Sequence, residues 1–163
     1  MSRPESLQAF GPDLVLPADL VRKLEHDFRR LQGNPRDTYA AFDFFVTAEH
    51  IPDWMRNIPV KREIPLLRVV SHLAAGAKHF IPQDKRHQSV RAVEVEGGAF
   101  QADAFQADAF DVGSLVVQLQ GDEAALFGTE VGVLQLAELV LQYWREQVGA
   151  ANAPIQPTAE SGG

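Results

Sequence analysis

Hydrophobic residues in this chain recur at helical spacing as far as residue 80, at strand spacing from about 89 to 120 and at helical spacing again after that, and these switches restrict the fold more than any other feature. From Pro17 to Gln32, residues Leu20, Val21, Leu24, Phe28 and Leu31 share one face, Pro17 suits the first helical turn, and Gly33-Asn34-Pro35 stops the helix. A second helix is predicted from about Asp37 to Asn57, with Pro52 expected to kink or restart it. A third runs from about Arg62 to Phe80 with Pro65 in its first turn. The period then falls to two. Ser89–Glu96 and Ser114–Gln120 read as the arms of a hairpin, Gly121-Asp122 turns the chain, and Thr129–Val148 reads as a last helix. The expected fold class is therefore α+β, mainly α: a four-helix core with an inserted β-hairpin.

The predicted hairpin carries a perfect tandem repeat. Residues 99 to 110 read AFQAD, AFQAD, AF. A period of five rotates a helix by roughly 500° per repeat, so Phe100, Phe105 and Phe110 would point three ways. In a strand an odd period sends successive side chains to opposite faces. Neither element buries all three, and the repeat is read as a loop between strands. Its phenylalanines are candidates for a contact surface toward a protein partner or a second copy of the chain.

Length supports one domain over residues 17–148, with the hairpin at about 89–120, a flexible arm over 1–16 and a disordered tail over 149–163. No apolar run reaches the ~18 residues of a membrane span, and no signal-peptide pattern opens the chain, so no membrane association and a cytoplasmic location are expected. Lack of cysteine excludes disulfides, thiolate metal sites and a cysteine nucleophile. The net charge of −7 is unevenly spread. Arg56 to Arg91 holds eight basic residues against Glu63 and Asp84, a surplus of six positive charges, so the remainder carries thirteen negative ones. Such a segment either steers RNA or another polyanion to one face, with Arg62, Lys78, Lys85 and Arg86 as binding candidates, or balances acidic neighbours within the fold.

Two polar lines run along the second and third predicted helices. Asp43, Thr47, His50 and Trp54 fall at i, i+4, i+7 and i+11; Arg68, His72 and His79 fall at i, i+4 and i+11. Helices joined by a short connection pack antiparallel, so the two lines are expected to face one another across a groove. There a histidine oriented by Asp43 would exchange a proton near neutral pH while Arg68 holds a phosphate. His50, Asp53, His72 and His79 are the alternative metal ligands, but no familiar ligand spacing is present and neither a metal nor a cofactor is assigned. The remaining possibility is that these groups satisfy one another between packed helices.

The stretch Ala41-Phe42-Asp43-Phe44-Phe45-Val46-Thr47-Ala48-Glu49-His50, with Asp53-Trp54 and with Leu73 to Phe80, resembles a group of small bacterial and phage-associated proteins. The helix ending in Lys78-His79 is similar to the terminal helix of HEPN domains, helical bundles that often act as metal-independent ribonucleases. That resemblance implies His79 as the catalytic base. Ala74 and Ala75 stand where the family carries its arginine, and Arg68-Val69 precedes His72 at the corresponding spacing. The repeat is similar to pentapeptide-repeat proteins in period, but Gly98, Asp103 and Asp108 occupy positions which that family fills with small side chains. The chain is thus expected to act on or bind RNA through a groove formed by Arg68, His72, His79, His50 and Asp43. The alternative is an assembly protein that makes its contacts through residues 99–110.

Overall fold

The computed structural model describes residues 12–79, 89–95 and 114–151. Four long helices, α1 (Pro17–Gly33), α2 (Thr38–Trp54), α4 (Pro65–His79) and α6 (Val133–Ala151), accompany the short helices α3 (Val60–Glu63) and α5 (Gly121–Phe127). Strands β1 (Val90–Val95), β2 (Leu115–Leu119) and β3 (Glu130–Gly132) form an antiparallel sheet in that order. The fold is mainly α with a small sheet, as the periodicity implies. No helix among the described residues is long and apolar enough to cross a membrane.

Local chemistry accounts for the element ends. α1 begins where the Asp19 carboxylate accepts the backbone N–H groups of Val15 and Leu16, at 2.9 and 2.7 Å. These two bonds, with Arg22 beside them, hold the Asp19 carboxyl below its usual range. α2 is capped by Asp37, which accepts from Tyr39 and Ala40. Pro52 lies two residues from the end of α2 and removes only the bond to the Ala48 carbonyl, and the helix stops at Trp54 instead of continuing to Asn57, with Arg56 in the left-handed region (φ 55°) just beyond.

The single helix expected from Arg62 to Phe80 is divided. Ile64 precedes Pro65 and is extended (φ −93°, ψ 117°), because a proline ring disfavours helical geometry in the residue before it. The expected turn at Gly121-Asp122 is instead the start of α5, and the first residues assigned to the last helix form β3. There Val131 lies opposite Val117, and burial of that pair outweighs helical continuity. The hairpin arms do pair antiparallel, and the repeat between them (Phe100, Phe105, Phe110) lies outside the described residues.

The core lies between the helices and one face of the sheet. Leu24, Leu31, Phe44, Ile51, Val69, Leu136, Val140 and Trp144 are fully buried, and the rings of Phe28, Phe44 and Phe45 meet at tilted and edge-on angles. Across the sheet, Val93, Val117 and Val131 form one row. Their exposures are 47%, 0% and 5%, so the helical layer covers β2 and β3 and stops short of β1.

Candidate functional site

The face of α2 that meets α4 is offset by one residue from the expected polar line. Phe42, Val46, Glu49 and Asp53, with His50 beside them, line a cavity of about 490 Å³ together with Ser71, Ala74 and Ala75 of α4 and Lys61 of α3. Their spacing is again i, i+4, i+7 and i+11. A one-residue shift rotates a helix face by about 100°, enough to turn Asp43 and Thr47 toward α1.

Asp43 pairs there with Arg30 at 2.6 Å, and this bond raises the Arg30 guanidinium above its ordinary range. Thr47 donates to the buried Asp27 at 2.9 Å, and Lys23 donates to both, at 2.6 and 2.8 Å. His50 is mostly exposed, with Nδ1 3.8 Å from Asp53. Trp54 packs against the core.

The α4 line also divides. The Nε–H of Arg68 donates to Glu123 of α5 at 2.5 Å, and its Nη1 donates to the Arg62 carbonyl at 2.9 Å. His72 is buried, and its Nδ1 accepts the Val90 N–H at 3.1 Å. A ring nitrogen used as an acceptor carries no proton, so His72 is committed to joining α4 to β1. Asp43, His50, Arg68 and His72 therefore do not share a groove. The first faces α1, the third α5 and the fourth the sheet, while His50, mostly exposed, is the one of the four that lines the cavity between α2 and α4. His79 closes α4 with Lys78 before it, and their side chains lie outside the described residues, as do Lys85 and Arg86 entirely. Arg62 is exposed on α3.

The actual interface centres on Glu49. Its Oε2 accepts the Ser71 hydroxyl at 2.7 Å, and its Oε1 lies 3.0 Å from the Lys61 ammonium, which also donates to Asp53 at 3.0 Å. Partial burial disfavours the charged form of Lys61, yet the bonds to Asp53 and Glu49 prevail and raise its pKa. The set ties α2, α3 and α4 together. Sequence reading missed Glu49, Lys61 and Ser71 as partners. Ser71 is the one hydroxyl-bearing residue of α4, and Glu49 lies on a helix whose neighbours Phe44, Phe45 and Ala48 are buried. Among the described residues no group of three or more His, Asp or Glu can hold a metal ion.

A second cavity, of about 320 Å³, opens on the other side of Phe42, where the helical layer ends. Its walls are Ala41, Phe42 and Phe45 of α2, Leu73 and Gly76 of α4, four consecutive residues of β1 (Val90 to Val93), Leu115 and Val117 of β2, and Val133. Alternation would normally send consecutive strand residues to opposite faces. Here the register shifts between Val90 and Ala92, so Arg91 is an extra residue without a partner in β2, and the strand bends locally beside the cavity. His72 and Arg91 are the ionisable groups among its walls, and Thr38 adds a hydroxyl.

No protein-family model matches the chain, and no curated protein or solved structure matches it either.

Proposed function

We propose that this chain works by binding, and that its working surface is the apolar cleft between α2, α4 and β1. The observation that carries this reading is the loss of cover along the row Val93–Val117–Val131. A sheet face buried at two strands is left open at the third, and a cavity of about 320 Å³ lies there. Half-exposed Phe42 (47%) and Val93 stand at its rim. Open apolar cavities of this size, lined by aliphatic and aromatic groups with a few polar atoms, are where proteins hold small ligands. This reading is one of ligand binding and differs from the RNA reading, which rests on Arg68, His72, His79, His50 and Asp43 acting together.

The test is a fluorescence titration with the uncharged probe N-phenyl-1-naphthylamine. The account expects saturable binding at one site per chain, abolished by Val93→Phe, which fills the rim while retaining a strand-favouring residue. Circular dichroism confirms that the variant folds. Binding unaffected by Val93→Phe and by a second filling variant, Ala92→Phe, would overturn the assignment. Salt-sensitive retention of RNA that is lost in Arg62→Gln would favour the polyanion reading in its place.

A further inference from the structure

We infer that the occupant of the apolar cleft is a small amphiphilic carboxylate of the medium-chain fatty-acid type, held with its head group at Arg91. The inference rests on the binding reading above and adds the chemistry of the ligand. Two observations independent of the cavity's size support it.

The first is charge. Arg91 is exposed at the β1 wall and forms no ion pair among the described residues, whereas Lys61 and Arg68 of the same basic segment of sequence are each taken up by carboxylates. The other ionisable wall residue, His72, has its Nδ1 bound to the Val90 N–H. No acidic residue lines the cavity among the described residues. The cleft therefore combines apolar walls with a cation, and its complement is an apolar body with one anionic end.

The second is the state of the β1 edge. An extended peptide would bind such a cleft by adding a strand to β1, through the backbone groups that β2 leaves unused. His72 already occupies the Val90 N–H, and the irregularity at Arg91 breaks the regular ladder one residue later. Both features blunt an edge against strand addition. They leave the side-chain walls accessible, which suits a flexible chain that makes no backbone bonds.

Calorimetric titration of the full-length protein with decanoate, decanol and decylamine separates the possibilities. The expected order is decanoate tightest, decanol about two- to fivefold weaker at low salt, and decylamine weaker again, the spread being what one exposed ion pair supplies. Arg91→Gln, an exposed substitution, should bring decanoate to the level of decanol and leave decanol unchanged. Equal binding of all three probes, or full decanoate affinity in Arg91→Gln, would overturn the carboxylate assignment while leaving the cleft reading in place. Absence of binding by decanol as well as decanoate would remove the cleft reading itself. Displacement of decanoate by a peptide ending in Leu-Val with a free carboxylate would overturn the small-ligand assignment in favour of a protein terminus.

Discussion

His72 shows how one side chain changes meaning when the fold is known. Its spacing from Arg68 suggested chemistry, yet its Nδ1 accepts the Val90 N–H inside a buried contact. Replacing it with leucine leaves that N–H without a partner, and the expected cost is about 1–3 kcal/mol of stability, read from urea unfolding midpoints. His72→Gln, which restores an acceptor, should recover part of the loss; equal losses in both variants would show that ring packing alone matters. Asp19 supplies a pH dependence of known sign. Its folded pKa lies below the ordinary 3.8, so its contribution is present above that value and disappears as pH falls through the lower folded value. Acid unfolding of Asp19→Asn should therefore lack the part of the wild-type decline that lies below about pH 4. Trp144 is buried, and its indole N–H has no hydrogen-bond partner among the described residues. Trp144→Phe removes that orphaned donor along with some volume, and should cost less than the roughly 3–5 kcal/mol typical of truncating a buried tryptophan to alanine.

At the scale of elements, α2 records what the sequence could and could not convey. Its start near Asp37 and its apolar character follow from residue types alone, but its end at Trp54 does not. The direction of each face does not, because α2 packs on both α1 and α4 and apolar residues occur around most of its circumference. With so weak a stripe, the choice between Asp43–Thr47–His50 and Phe42–Val46–Glu49 depended on packing partners distant in sequence. β3 and α5 were hidden for a related reason: three strand residues are too few to show alternation, and Val131 is fixed by its pairing with Val117. The division at Ile64 was missed, although Pro65 disfavours helical geometry in the residue before it. The Glu49 set belongs to this scale as well, because it joins three helices. Glu49→Ala releases both Ser71 and Lys61, and a loss of about 1–3 kcal/mol is expected, between that of an exposed pair and a buried one. Lys61→Met, which keeps the aliphatic stem, should cost less, and thermal unfolding of the two variants compares them.

For the whole molecule, the uneven charge acquires a structural account in part. Lys61 and Arg68 neutralise Glu49, Asp53 and Glu123 across helix contacts, so part of the basic segment holds an acidic protein together. Arg91 forms no ion pair among the described residues and lines the cleft with Val93, which is left half exposed. The helical layer, the irregularity in β1 and the bond from Val90 to His72 jointly produce an apolar cleft bordered by a cation. Its occupancy is the central claim. The most direct measurement is a methyl-resolved NMR titration of the protein with decanoate. The account predicts that shifts concentrate on Leu73, Val93, Leu115 and Val117, the walls of the cleft, with Leu126 and Ile58 unmoved on exposed surfaces elsewhere. Shifts on those exposed residues with the cleft unchanged, or none at all, would contradict it.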